Sequence, residues 1–174
     1  MKIEFLQAIL PAELRILAAF DRKIFTSDHF PPSAWRAYDC WWLLLEGRKA
    51  GCCAFEPDVD FQDDLRRDGV NPRCEGSLYI ASTGLLPQFR GRGLGRLMKA
   101  WQVSYARHHG FRRIATNVRR RNKAMIALNE SFGFRAIRTT PRYYADPVDA
   151  TVVMELVLAP EDRSLADPEG TRAR

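Results

Sequence analysis

The segment Gln88-Phe89-Arg90-Gly91-Arg92-Gly93-Leu94-Gly95 holds residue types suited to gripping an anion. Its glycines let the backbone turn tightly and aim N–H groups at a ligand. Leu94 begins an amphipathic pattern, so the loop runs into a helix N-terminus. The unpaired N–H donors and partial positive charge there suit a pyrophosphate. The surrounding charge agrees. No Asp or Glu occurs from Gly76 to Asn129, whereas Arg90, Arg92, Arg96, Lys99, Arg107, Arg112, Arg113, Arg119, Arg120, Arg121 and Lys123 all fall there. Such a basic field suits a nucleotide or a nucleic acid, although charge alone favours a merely solvated basic face. The loop lacks the Gly-Lys-Ser/Thr of a P-loop. It also fails the dinucleotide fingerprint, because the third glycine is misplaced and no acidic residue follows about 20 residues later.

The elements that must position this loop are legible in outline. Met1 to Gln7 reads as a first strand. Pro11 starts a helix to about Phe25, with Leu14, Leu17, Ala18 and Phe20 on one side. Ser33 is placed to cap a short second helix. Cys40 to Leu45 and Lys49 to Phe55 read as strands joined by Glu46-Gly47-Arg48. Pro57 to Glu75 is Asp-rich and broken by Pro57, Gly69 and Pro72, which predicts a long loop. Ser77 to Leu86 is the next strand. From Leu94 the spacing predicts a helix with Leu97, Met98, Trp101 and Tyr105 on one stripe, ended by Gly110 after His108 and His109. Arg113 to Val118 is a strand, and Asn122 opens a helix with Met125, Leu128 and Phe132 on one face, with Gly133 beyond it. Phe134 to Arg138 and Ala150 to Leu158 close the pattern. Residues 1–158 are thus expected to form one domain, followed by a charged, disordered tail over 159–174.

The chain has 174 residues, enough for one domain with a real core. No apolar run approaches the ~18 residues of a membrane span. Ala8 to Phe20 is interrupted by Glu13 and Arg15 and lacks the form of a signal peptide, so the cytoplasm is the expected location. The cysteines Cys40, Cys52, Cys53 and Cys74 form no Cys-x-x-Cys pair. They read as small buried hydrophobes in a reducing compartment, with no metal site.

The run Leu85-x-Pro87-Gln88-x-x-Gly91-x-Gly93-x-Gly95, with Asn122-x-Ala124 and Gly133-Phe134 after it, resembles the acetyl-CoA motif of the GCN5-related N-acetyltransferase (GNAT) superfamily. The order of elements agrees from about Met1 to Leu158. Pro141-Arg142-Tyr143-Tyr144-Ala145-Asp146, then Asp149-Ala150 and Met154, is similar to protein N-terminal acetyltransferases of the ribosomal-protein-alanine type. The resemblance implies an α/β (α+β) fold, a mixed and mostly antiparallel sheet of about seven strands flanked by helices, with splayed fourth and fifth strands. It implies that pantetheine runs along Thr83, Gly84 and Leu85, and that Gln88, Arg90, Gly91, Arg92, Gly93, Leu94, Gly95 and Arg96 hold the phosphates, with Asn122 as a further contact to the coenzyme A moiety. Arg121 would add to the field around the adenosine phosphates. It further implies acetyl transfer to an amine by direct attack.

Transfer requires a neutral amine, a stabilised thioester oxygen and a proton for the departing thiolate. The usual glutamate base on the fourth strand is Ala81 here. The histidine some relatives carry on the fifth strand is Asn117, and the usual tyrosine acid on the following helix is Asn129. Tyr79 and Tyr144 are therefore the candidate catalytic hydroxyls, Tyr79 because alternation puts it on the face of Ala81. Tyr143 and Tyr144 match the pair lining the acceptor site. His29, near Phe30-Pro31-Pro32, lies where relatives shape that site. An α-amine, with pKa near 7.7–8.0, is roughly a quarter to a third neutral at pH ~7.4, against about one part in a thousand for lysine. That favours a peptide N-terminus or a small α-amine as acceptor. The competing readings are a basic nucleic-acid-binding module, disfavoured because aromatics are not interleaved with the basic residues, and an acyl-CoA sensor without catalysis. No nucleic-acid or membrane partner is expected, and a homodimer is left open.

Overall fold

A computed structural model describes residues 2–25, 27, 29–59 and 73–158, without the side chains of 73 and 74. Its strands are β1 (Ile3–Gln7), β2 (Asp39–Leu45), β3 (Arg48–Val59), β4 (Arg73–Leu85), β5 (Arg113–Arg119), β6 (Arg135–Ala145) and β7 (Val148–Val157). They form one sheet in the order β1-β2-β3-β4-β5-β7-β6. Only β4 and β5 run parallel; the other neighbours are antiparallel. The helices are α1 (Pro11–Ile24), α2 (Leu94–His108) and α3 (Lys123–Glu130). This is the expected mixed sheet, and α2 supplies the crossover that a parallel pair requires.

Alternation along β3 sorts the core. Cys53 and Phe55 pack with Leu94 and Met98 of α2, whereas Cys52 and Ala54 pack with Leu17, Ala18 and Phe20 of α1. Consecutive strand residues point to opposite faces, so α1 covers one face and α2 the other. Met125 and Ile126 of α3 join the α2 side. Aromatic rings anchor α2: Trp101 stacks on Phe5 at 4.2 Å between centroids and Tyr105 on Phe55 at 4.9 Å. The stripe expected on α2 needs one correction. Leu97 is 43% exposed, because the buried face is centred on Met98 and Gln102 and leaves Leu97 at its rim.

Strand lengths also depart from the sequence reading. Residues 57–59 and 73–75 belong to β3 and β4, and the rest of the expected loop, 60–72, lies outside the described residues. Pro57 is accommodated by an irregular pairing. Asp58 takes a positive φ of 55° and its Oδ1 accepts from the Gly76 N–H at 3.0 Å. Pro141 likewise does not end β6; the register skips between Thr140 and Tyr144, and Arg142 sits at φ 54°. Bulges admit a proline because the ladder bond is already interrupted there. Ser33 precedes only a 3-10 turn, Ala34–Ala37, and its side chain makes no cap bond. Cys40, Cys52 and Cys53 are buried free thiols. Among the described residues no helix is long and apolar enough to cross a membrane. The tail over 159–174 lies outside the described residues.

The end of α1 is fitted closely to β4. A β-carbon on Gly84 would lie 2.6 Å from Ile24 Cγ2. One turn earlier, Asp21 is buried and its Oδ2 accepts from the Phe30 N–H at 2.8 Å, which pins the turn at 29–30 to the helix. Among the described residues its Oδ1 has no partner at hydrogen-bond geometry, although the Ser82 side chain also acts on the carboxyl. Burial pushes the carboxyl up to about 6, with the Phe30 bond and the nearby His29 offsetting only part of that penalty.

Two outcomes follow from this packing. Gly84→Ala should lose about 1–3 kcal/mol in denaturant unfolding, since the helix must move to admit the methyl group. Asp21 binds its proton more tightly folded than unfolded, so its contribution is present at acidic pH and fades as pH rises from about 4 to about 6. Asp21→Asn keeps an oxygen for Phe30 but no longer titrates. Its stability relative to the parent should therefore increase across that window in a pH series of denaturant melts.

Candidate active site

Pairing between β4 and β5 runs from Ser77↔Arg113 to Ile80↔Thr116 and then stops, although the strands continue to Leu85 and Arg119. Thr116 Oγ1 donates to the Ile80 carbonyl at 3.2 Å and closes the apex of the wedge. Beyond it, β4 keeps β3 on its other side, from Ser82↔Ala54 to Leu85↔Gly51. The edge of β4 turned towards β5 thus has backbone groups without a strand partner. Such an edge is a template for an extended ligand. At the apex β4 carries a bulge: Phe55 pairs with Ile80 and Ala54 with Ser82, which leaves Ala81 as the extra residue. Bulges re-aim neighbouring groups and are common beside active sites.

The wedge leads into the glycine loop. A 3-10 turn, Pro87–Phe89, follows β4, and Arg90 Nε donates to the Leu85 carbonyl at 3.1 Å, tying the loop back to the strand. Gly91 and Gly93 take positive φ of 71° and 77°, and a β-carbon on either would meet nothing within 4 Å. Their backbone is therefore open to close approach by a ligand. Gly93 is the N-cap of α2, whose first N–H groups have no intrahelical acceptor. Leu94 is buried and anchors the loop, while Gln88, Arg92 and Arg96 are exposed. The cradle fits an anion of pyrophosphate size.

The other expected contacts are distributed unevenly. Thr83 Oγ1 accepts from buried Gln102 Nε2 at 2.8 Å, which ties β4 to α2. Gly84 faces α1. Asn122 caps α3, its Oδ1 accepting from the Met125 N–H at 3.2 Å, so only its amide N–H₂ can serve a ligand. Arg96 reaches Ser131 Oγ at 3.3 Å and lies over the Phe132 ring. Arg121 is turned elsewhere: it pairs with Asp149 at 2.9 Å and donates to the Pro147 and Val148 carbonyls. It holds the β6–β7 hairpin.

On the α1 face, Tyr79 packs with Val59, Ala115 and Ala81 and donates a short hydrogen bond to Asn117 Oδ1. Asn117 is thus drawn into the site as the partner of Tyr79. Burial raises the Tyr79 hydroxyl well above the ordinary phenol range, with Tyr143, Tyr38, Tyr144 and Glu56 adding to the shift. Asn129 instead is buried at the end of α3, its Nδ2 3.5 Å from Met154 Sδ. Tyr143 and Tyr144 meet edge-on at 5.0 Å. Arg119 lies over the Tyr144 ring at 4.1 Å and donates to the Asp146 and Pro147 carbonyls, which fixes the hairpin.

Two residues of this wall escape the sequence reading. Glu56 pairs across the ladder with Tyr79, and Tyr38 stands just before β2, 5.7 Å from Phe30. The signal that could reveal Glu56 is the β3–β4 register, which depends on where the connection over 60–72 begins and ends.

The family model for the acetyltransferase (GNAT) family matches residues 11–134. No curated protein matches the sequence. Among solved structures, the chain is similar to the ribosomal-protein-S18-alanine N-acetyltransferase of Escherichia coli, with TM-score 0.73, 17% identity, and 92% of this chain and 98% of that chain covered. Arabidopsis thaliana NAA60 in complex with acetyl-CoA gives TM-score 0.73 and 19% identity, with 90% and 100% covered. An IAA acetyltransferase of Bacillus cereus gives TM-score 0.65 and 13% identity, with 90% and 100% covered. With the matching model spanning well over half its length, the chain belongs to the GNAT family of acetyltransferases and is an acyltransferase with acetyl-CoA as cosubstrate.

Proposed function

We propose that this enzyme acetylates the α-amine of a protein or peptide N-terminus by direct attack within a ternary complex. The observation that carries the reading is the alignment of two features on one strand. The unpaired edge of β4 ends at the glycine loop, while its bulge at Ala81 opens beside the tyrosine wall. Donor and acceptor can thus approach one point from opposite ends.

Acetyl-CoA supplies the acetyl group as a thioester. Backbone groups of Thr83, Gly84 and Leu85 are placed to run alongside pantetheine, and the amides from Arg90 to Gly95 to hold the pyrophosphate, with Gln88, Arg92 and Arg96 at the rim. The Asn122 amide is a further donor. Tyr143 and Tyr144 form one side of the acceptor site. Tyr79 keeps its proton at neutral pH, since burial holds it far above the phenol range, and so is suited to donate rather than accept. Tyr144 is the second hydroxyl available for that role. The neighbour from Escherichia coli is described as acting on an alanine of a ribosomal protein, which supports an α-amine acceptor here. An α-amine also needs less deprotonation than a lysine, which suits a site with Ala81 where relatives carry glutamate.

A thermal-melt titration tests the cofactor half. Acetyl-CoA at ~100-fold over Kd should stabilise the parent by roughly 2.7 kcal/mol. Gly93→Ala should melt cooperatively, about 1–2 kcal/mol less stable, because its φ of 77° disfavours a side chain, and should lose most of the shift. An unshifted parent at millimolar acetyl-CoA would overturn the assignment. For the chemistry, Tyr79→Phe should lower kcat in a thiol-release assay by at least ~10-fold while the acetyl-CoA shift persists. Unchanged turnover would make Tyr79 a packing residue only.

A further inference from the structure

Glu56 stands opposite Tyr79 in the β3–β4 ladder. Cross-strand partners share a face of the sheet. The half-buried carboxylate therefore lies on the face of Tyr79, Ala81 and Ala115, next to the small cluster that includes Val59. The phenols of the expected acceptor site come from separate parts of the chain. Tyr38 comes from the segment before β2, Tyr79 from β4, and Tyr143 and Tyr144 from β6. Burial lifts the Tyr38 hydroxyl above its ordinary range, and Glu56 and then Tyr143 lift it further; the same charges act on Tyr79. Glu56 is thus a carboxylate opposite a buried phenol, beside the bulge where relatives carry their glutamate and this chain carries Ala81.

A carboxylate supplies the charge that an organic ammonium needs, and tyrosine faces add cation–π attraction. Neutral or anionic acceptors gain nothing from such a site. Resting on the N-acetyltransferase reading above, we propose that Glu56 receives the acceptor as its ammonium ion beside Tyr38 and Tyr143 and takes the proton that must leave before the nitrogen can attack. The step balances. R–NH₃⁺ and the Glu56 carboxylate become R–NH₂ and the carboxylic acid. The nitrogen lone pair forms the C–N bond at the thioester carbon as the C–S bond breaks, and the electron pair leaves on sulfur. The thiolate takes a proton, the amide nitrogen loses one, and Glu56 returns its own to solvent. The sum is one amide, one thiol and one proton released. The charge required by the chemistry is thus supplied by β3 rather than β4, one strand from its position in relatives.

The test compares the parent, Glu56→Gln and Glu56→Asp in a thiol-release assay. The acceptors are peptides with free N-termini covering every first residue, spermidine, and the same peptides ending in an aminooxy group, which is neutral at pH 7 and needs no base. Acetyl-CoA thermal shifts are measured beside them. Glu56→Gln should lose at least ~100-fold in kcat/KM for the acceptor, with kcat falling and acceptor KM rising, while the acetyl-CoA shift is unchanged. Glu56→Asp should recover part of the loss. With the aminooxy peptides Glu56→Gln should come within a few-fold of the parent. Equal loss on amine and aminooxy acceptors would assign Glu56 a structural role and overturn the inference, as would undiminished activity of Glu56→Gln. A parent that binds acetyl-CoA but acetylates nothing overturns the acceptor reading and this inference with it, whereas a parent without the shift fails earlier, at the cofactor.

Discussion

The constraint on which the rest depends is the end of pairing between β4 and β5 after Ile80 and Thr116. A parallel pair that continued to Leu85 and Arg119 would satisfy its own backbone and leave no wedge. Because it stops, the edge of β4 must find other partners or water, since buried backbone polar groups are costly to leave unmade. Thr116 seals the apex with its hydroxyl, so the opening starts at a defined residue. The features proposed to recognise acetyl-CoA then follow one another along the chain: the β4 edge without a strand partner, the turn at Pro87–Phe89, the open glycines and the N-terminus of α2.

The acceptor side depends on two long hairpins and their irregularities. β3 and β4 extend past Pro57 and Gly76, and β6 extends past Pro141, because each proline sits where the ladder is interrupted. The β3–β4 extension carries Glu56 to the level of Tyr79, and the β6 extension carries Tyr143 and Tyr144, which meet edge-on. The Arg119 and Arg121 contacts with the hairpin turn then hold those rings in place. Two basic residues of the acid-free span, Arg119 and Arg121, thus serve the hairpin.

Buried polar groups tie the helices to this frame. Gln102 holds α2 to Thr83 on the wedge strand, and Asp21 holds the turn at 29–30 to α1. Lys99 is buried above the Phe134 ring, and its desolvation lowers the ammonium to about 8. Such groups add little net stability, but a buried polar atom tolerates few alternative geometries, which favours one placement of each helix.

The sequence by itself determined the order of elements, the glycine loop, and the family with its acetyl-CoA cosubstrate. Those features are local: glycines at fixed spacing, an apolar stripe at helical period and an acid-free basic span can be read without knowing what lies opposite. It also singled out Tyr79, Tyr143 and Tyr144 as candidates. It could not assign Arg121, whose partner Asp149 comes from the β6–β7 hairpin, nor place Leu97 at the rim of α2, nor carry β3 and β6 through their prolines. Above all it could not find Glu56. A carboxylate among Asp-rich neighbours reads as loop surface, and only the strand register sets it against Tyr79. Register is decided by pairing across the sheet and by where bulges absorb extra residues. A shift of one residue would turn Glu56 to the other face, so this part of the site exists only in the folded sheet.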